Sequence, residues 1–389
     1  MTKKWSSRLT FFAFVVLMVG LGSNDSLRGI FSTIFQEHFS LTTTQLGLIV
    51  TASYIGNLVF LLVGGNLSTR FSKKRVLQVL ILIWMAALAL FAFTSNYTVL
   101  LIGMALALGS STLLNTTMNL ITPLLFATAP GFFVNFLFFT QEIGTSGSQY
   151  ILGSHADGFA FWQHTNLVLL ILGAVAFVLL LFCNVPEEAA APADAPAQKG
   201  GYDWRIIVPY VLVFGFYFIA EHGVMNWMVA YGVDGLGLPQ GSAAKYLSVF
   251  FGGMMIGRLC LSPLVDKLGA LKSLAAFGGV SCVLYLIGSL GGAVTMPVWA
   301  ISGLSFSILY PTLVMSIRLY FPAQQVSGAA GTILSIASLA DILFNVGFGK
   351  LVDMAGYAVS IRVLPLSVLA FFIVFMLFTK FCKPTQKLK

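Results

Sequence analysis

Charged side chains are scarce in this 389-residue sequence: 9% of positions are Asp, Glu, Lys or Arg, against 58% hydrophobic, where a soluble domain carries about 25% charge. The scarcity extends over the whole chain, with a mean hydropathy of +0.92, so both a water-soluble enzyme and a soluble enzyme on one anchor helix are excluded. The four cysteines show no paired spacing, and neither a disulfide framework nor a metal site is expected from them. Four histidines are present, none in a His-Glu-x-x-His pair, so hydrolytic chemistry lacks a constellation and no enzyme activity is expected. No Gly-x-x-x-x-Gly-Lys-Ser/Thr segment occurs, which leaves nothing in the chain to bind a nucleotide; no cofactor is expected. Alternation of apolar and polar residues is also missing, and runs such as 76–93 and 167–182 are apolar on every face, unlike the strands of an outer-membrane barrel.

What is present is a series of apolar runs, each near the roughly 20 residues that an α-helix needs to cross a bilayer. Breaks at Pro, Gly and charge clusters place helices at 9–36, 44–69, 75–94, 97–125, 131–154 and 162–183, then at 205–233, 242–266, 271–290, 294–320, 325–353 and 358–381. The expected fold is an all-α membrane protein of twelve transmembrane helices in two six-helix halves, 1–183 and 205–389, joined by a flexible linker at 184–204. That linker is the one sustained non-apolar stretch, with Glu187, Glu188 and Asp194 among prolines and alanines. The net charge of +8 does not point to nucleic acid, because the basic residues fall in short connections, as membrane topology requires. Lys3, Lys4 and Arg8, Arg70 to Arg75, Lys199 and Arg205, Lys267 and Lys272, and Lys380 to Lys389 all fall on one side. The positive-inside rule puts both termini in the cytoplasm of a bacterial-type inner membrane. No small-residue cleavage site follows the N-terminal basic residues, and the first span is read as uncleaved.

The two halves repeat. Aligning the cluster at Arg70 with that at Lys267 gives an offset of about 197 residues, which brings Asp25 to within one residue of Glu221. Measured back from Gly158 and Gly356, Glu142 and Asp341 also fall at matching places. Parallel halves with a site near the midplane are a standard plan of secondary transporters.

The loop Gly65-Asn66-Leu67-Ser68-Thr69-Arg70-Phe71-Ser72-Lys73-Lys74 resembles the signature of the major facilitator superfamily, Gly-x-x-x-Asp-Arg-x-Gly-x-Arg/Lys, with Thr69 and Ser72 in place of the usual Asp and Gly. The second half keeps the acid, as Asp266-Lys267-Leu268-Gly269, preceded by Gly257-Arg258. The resemblance implies a conformational gating role for Arg70, Lys73, Arg258, Asp266, Lys267 and Lys272. It leaves the first-half latch without its Asp. Within the superfamily, Asn24-Asp25, the segment 218–227, the segment 252–258 and Tyr310-Pro311-Thr312 look most like the fucose permease branch of sugar-proton symporters. One departure stands out: where that branch often has a Glu four residues before Asn119, this chain has Asn115.

A charge at the bilayer centre costs about 2.5 to 3.5 kcal/mol on insertion scales, so the mid-helix charges mark candidate sites. Asp25, Arg28, Glu142, Glu221 and Asp341 are the candidates for proton coupling. Asp25 and Arg28 share a helical face, and a mutually neutralising pair is the plainer alternative. For Glu142 the alternative is a helix interface in which small residues pack against helix 8, for Glu221 a helix-end contact, and for Asp341 a salt bridge to Arg258 or Lys350. Asn24, Asn115, Asn119, Gln141, His222, Asn226 and Trp227 are the candidates for substrate binding, because amides both donate to and accept from hydroxyls and an indole stacks on a sugar ring. For the helix 4 asparagines, interhelical hydrogen bonding is nearly as good a reading. The expected function is proton-coupled, alternating-access transport of a sugar or similar small polar solute by a monomer. Efflux of an organic compound is the runner-up, and a sensor or a channel is a remoter class. The partners expected are that solute, protons and the lipid bilayer, with no nucleic acid. Topology is directly testable: with the four native cysteines replaced by serine, a cysteine at Ser72 or Gly269 is expected to react with a membrane-impermeant maleimide in inside-out vesicles and not in intact cells. Labelling from outside intact cells would reverse the orientation.

Overall fold

The computed structural model of the protein describes residues 3–126, 130–186 and 202–384; within these, the side chains of 3–6, 63–70, 130–132, 135, 266, 323–324, 327 and 341 are not described. Most of the expected linker at 184–204 lies outside the described residues. Every regular element among them is helical, as a lipid environment demands of a chain that must satisfy its own backbone N–H and C=O groups. The chain divides into two compact units, Met1–Leu41 with Leu48–Gln198, and Thr42–Gly47 with Lys199–Lys389.

The first unit is built on α1 (Lys3–Ile30), α2 (Ser32–His38), α3 (Thr43–Arg70), α4 (Lys73–Phe93), α5 (Tyr97–Leu125), α6 (Pro130–His155) and α7 (Gly158–Phe182). The second holds α8 (Trp204–Ala230), α9 (Gln240–Leu268), α10 (Ala270–Leu290), α11 (Met296–Ile301), α12 (Gly303–Phe306), α13 (Leu309–Ser316), α14 (Ala323–Ala355), α15 (Tyr357–Ser360) and α16 (Val363–Phe381). Eleven segments among the described residues are long and apolar enough to cross a membrane, so the protein is a multi-pass membrane protein. The expected helix at 131–154 is present as α6 but is not one of the eleven. Gln141, Glu142, Gln149 and the serines around them make it too polar for a lipid-facing span.

Three expected helices are interrupted. The one expected at 9–36 breaks at Phe31 (φ −95°, ψ 10°), leaving α2 as a separate short helix. The one expected at 205–233 closes in a π turn at Tyr231–Gly235. The one expected at 294–320 is divided into α11, α12, α13 and a 3₁₀ turn at Ile317–Leu319. Serine explains this last case: the hydroxyls of Ser302, Ser305, Ser307 and Ser316 each donate to the carbonyl three residues back, at 2.5 to 2.9 Å. Such bonds compete with the helical ladder and tighten it locally.

Small residues set the closest helix approaches. In the first unit α1 packs on α6 where Gly22 faces the Gln141 carbonyl and Gly144 faces the Val19 carbonyl, leaving no room for a Cβ on either. Ser23 donates to the Gly144 carbonyl at 3.3 Å and Thr145 to the Gly22 carbonyl at 3.2 Å, so the same seam is stitched by hydroxyls. Trp84 of α4 is fully buried and fits against Gly20 and Gly173. The second unit centres on an aromatic core in which Tyr217 and Tyr285 stack on Phe306 at 4.9 and 5.3 Å between centroids.

The first turn of α3 belongs to the second unit. There the Asp353 carboxylate of α14 accepts from the backbone N–H groups of Thr43 and Thr44, both at 2.7 Å, and from the Thr44 hydroxyl at 2.5 Å. A carboxylate on two otherwise unpaired N–H groups also meets the positive end of the helix dipole. Gly349 lies against the Thr43 carbonyl and Gly47 against the Asn345 carbonyl, so α3 and α14 meet backbone to backbone at this turn. Losing a cap costs about 0.5 to 2 kcal/mol. Asp353→Ala is therefore expected to lower the thermal unfolding temperature of the detergent-purified protein, and Asp353→Asn, which keeps an acceptor, to lower it less. Equal stability of all three proteins would show that the cap contributes nothing.

Candidate functional site

In the first unit the candidate residues converge from α1, α5 and α6. Asp25 is half-buried on α1. Its Oδ2 accepts from Ser111 of α5 at 3.2 Å, while Oδ1, shielded from solvent, has no hydrogen-bond partner among the described residues. Arg28, one turn further on, is buried, and its charge bears on the Asp25 carboxylate. Its guanidinium lies 5.7 Å from the ring centroid of Tyr54 on α3, a cation–π arrangement, and its Nε has no partner among the described residues. Acid and base thus sit together without the closed, fully bonded geometry of a structural ion pair.

A second polar group runs from α5 to α6. Asn119 Nδ2 donates to Asn115 Oδ1 and Asn115 Nδ2 donates to Gln141 Oε1, each at 2.6 Å. The next residue, Glu142, is half-buried. The amides hold one another, Asn119 to Asn115 within α5 and Asn115 to Gln141 across to α6, so the interhelical hydrogen bond expected of this group is made by Asn115. The glycine seam of α6 faces α1, where Gly144 meets Val19 and Ser23. Gly147 has no atom within contact of its would-be Cβ, so α6 turns one face to α1 and another to open space. One further candidate is built into the packing. Asn24 is buried and its Oδ1 accepts from the indole of Trp84 at 3.2 Å.

In the second unit Glu221 and Arg258 share an aromatic surround. The Glu221 charge reaches the phenols of Tyr217, Tyr285 and Tyr310, and that of Arg258 reaches Tyr217 and Tyr310. Arg258, expected at a gating position, thus lies in the same cluster as Glu221. His222 stacks on Phe218, with centroids 5.3 Å apart and planes 6° from parallel. Asn226 is buried. Trp227, expected to stack on a ligand, is instead fully buried and donates its indole N–H to Asn345 Oδ1 at 2.8 Å; a ring enclosed on all sides offers no face to a solute.

Lys73, Lys267 and Lys272 stand at helix ends, the last two exposed. The side chains of Arg70, Asp266 and Asp341 lie outside the described residues. Three contributors were not singled out from the sequence, Ser111, Tyr217 and Tyr285, and Tyr310 was named only within Tyr310-Pro311-Thr312. A signal existed for two of them. Ser111, Asn115 and Asn119 recur every fourth residue, and Tyr217 precedes Glu221 by four, so each lies on its partner's helical face.

Comparisons with known proteins bear on the family and the fold. A family model described as Major Facilitator Superfamily matches residues 10–343. The L-fucose-proton symporter of Escherichia coli (strain K12) is 24% identical over 333 residues, covering 74% of this chain and 75% of that protein. A glucose/galactose transporter of Brucella abortus biovar 1 (strain 9-941) is 27% identical over 344 residues, covering 82% and 81%. Among solved structures, a nucleoside transporter superimposes with a TM-score of 0.80 at 12% identity, over 97% of this chain and 100% of that one, a likeness of fold alone.

The amide relay can be tested by truncation. Asn115→Leu leaves Gln141 Oε1 and Asn119 Nδ2 without their partners, and an unsatisfied buried group costs about 1 to 3 kcal/mol. Asn119→Leu removes only the outer bond. Thermal unfolding is expected to fall more for the first variant than for the second, and the reverse order would show that Asn115 is not the hub.

Proposed function

The chain belongs to the Major Facilitator Superfamily, whose members are carriers rather than enzymes, and we propose that it is a proton-coupled symporter importing a sugar or similar small polar solute. The printed activities of its relatives, an L-fucose-proton symporter and a glucose/galactose transporter, support that solute class, and the Asn24-Asp25 motif supports the fucose permease branch in particular. In this reading residues 1–183 and 205–389 are two six-helix halves, α6 supplies the twelfth span, and the segment at 184–204 links them in the cytoplasm. The protein works as a monomer in the inner membrane with both termini inside. The halves alternate access to a central site.

The observation that carries the reading is the state of Asp25: one oxygen held by Ser111 and the other unpaired, next to a buried arginine, in a chain with few acids. An ionisable group so placed within a membrane marks an ion or proton pathway by default. Protonation at Oδ1 removes the charge that Arg28 faces, so the pair couples proton arrival to a change in the local field. Glu142, Glu221 and Asp341 are the further coupling acids. Asn115, Asn119 and Gln141 can exchange amide–amide bonds for bonds to solute hydroxyls with no net loss of partners, and His222 and Asn226 are the substrate-binding candidates of the second unit. Arg70, Lys73, Asp266, Lys267 and Lys272 carry the gating role by motif position.

Flux in proteoliposomes tests this. With an inward proton gradient, radiolabelled L-fucose, D-galactose or D-glucose is expected to accumulate in wild-type vesicles. Asp25→Asn is expected to lose gradient-driven accumulation by tenfold or more on the scale of an essential proton carrier, while keeping counterflow exchange. Accumulation against an outward-directed gradient would establish antiport efflux instead, and undiminished uptake by the variant would remove Asp25 from coupling.

A further inference from the structure

Between Glu37 and Glu142 the sequence contains no Asp or Glu, and all four basic residues of that stretch, Arg70, Lys73, Lys74 and Arg75, fall within six positions. The superfamily's loop carries an acid at the position of Thr69, so this chain has kept the cations and lost their usual counter-charge. Lys74 is accounted for within the fold: its Nζ donates to the carbonyls of Leu181 at 3.0 Å and Cys183 at 2.7 Å, at the negative end of α7. Arg75 is exposed, and its guanidinium makes no hydrogen bond or ion pair with any described residue. It stands in the first turn of α4, where Ser72 caps the helix and the dipole adds to its positive field.

Beside Arg75 opens a crevice of about 610 Å³, lined by Val59 and Phe60 of α3, Phe71, Val76, Val79, Leu80 and Ile83 along α4, and Leu113 of α5. Among the described residues that line it, Arg75 is the only charged one. Arg75, Val76, Val79, Leu80 and Ile83 follow one face of α4 for about 12 Å at 1.5 Å per residue, a depth that stays within one leaflet of a hydrocarbon core about 30 Å thick. A cation at the mouth and an apolar trough below it match one amphiphile: an anion joined to an alkyl chain. Basic sites between transmembrane helices recognise anionic lipid headgroups in this way.

We propose that this crevice is a binding site for an anionic phospholipid, its phosphodiester on Arg75 and one acyl chain along Val79, Leu80 and Ile83. The site holds none of the candidate transport residues except the neighbouring gating loop, and it does not depend on the identity of the transported solute.

The full-length protein, purified in mild detergent and exchanged into nanodiscs or titrated in native mass spectrometry, decides this with phosphatidylglycerol and phosphatidylcholine as the two probes. Wild-type protein is expected to retain phosphatidylglycerol over phosphatidylcholine. Arg75→Gln should weaken that preference about fivefold, the effect of roughly 1 kcal/mol per basic residue near a lipid surface. Val79→Trp, which fills the trough and leaves Arg75 in place, should lower retention of the lipid as well. Lys383→Gln removes an exposed cation in the second unit and should leave the lipid preference unchanged. Each variant is first compared with wild type by size exclusion and thermal unfolding; if the tryptophan variant misfolds, Val79→Phe takes its place. Retention undiminished by Arg75→Gln, or undiminished in a folded crevice-filling variant, overturns the proposal. So does equal retention of the two lipids by wild-type protein, as expected if a carboxylate of the chain itself occupies Arg75.

Discussion

A chain placed in hydrocarbon has no water to complete its hydrogen bonds, and each unsatisfied group costs free energy comparable to a lost bond or more. This one constraint underlies the helical content, the hydroxyl bonds that return to the chain's own carbonyls, and the amide pairs of Asn115, Asn119 and Gln141. It also explains why helices meet where side chains are smallest. Apolar burial gives little preference for a neighbouring helix over lipid, so close packing and short polar contacts must supply it. The α1–α6 seam does both, with Gly22 and Gly144 allowing backbone contact and Ser23 and Thr145 bonding across it.

The same constraint separates two kinds of polar residue. Asn24 and Trp84, like Asn345 and Trp227, satisfy each other deep in the packing and so serve as fixed joints. Asp25 and Arg28 are different, since each retains a shielded polar atom without a partner among the described residues. Incomplete satisfaction is costly in a low-dielectric setting. In the second unit Glu221 and Arg258 both lie near the Tyr217 and Tyr310 phenols.

Most of the fold was legible because span length and loop charge are read directly from composition. Ranges such as 75–94 and 97–125 correspond closely to α4 and α5. The exceptions have physical causes. Serines every two or three residues broke the span at Met296–Leu319, and hydropathy does not register a hydroxyl that bonds backward. Trp227 looked like a ligand platform because aromatic residues are chemically suited to sugars, and one-dimensional sequence cannot say whether a ring faces a cavity or a neighbouring helix. Ser111 escaped notice because serine is unremarkable in a helix until its i+4 partners are known to face a carboxylate.

The sequence alone determined that this is a polytopic helical membrane protein with an internal repeat, and it named the few acids worth attention, since so few charges survive in so apolar a chain. Only the tertiary structure decided how those groups are met: that Ser111 holds Asp25, that Gln141 closes the Asn115–Asn119 relay, that Asp353 caps the start of α3, and that Arg75 stands over an apolar crevice. Composition and spacing fix which side chains a helix presents and on which face. The partner that each face finds depends on how helices distant in sequence pack, and that is settled by shape and by the need to pair every buried polar atom.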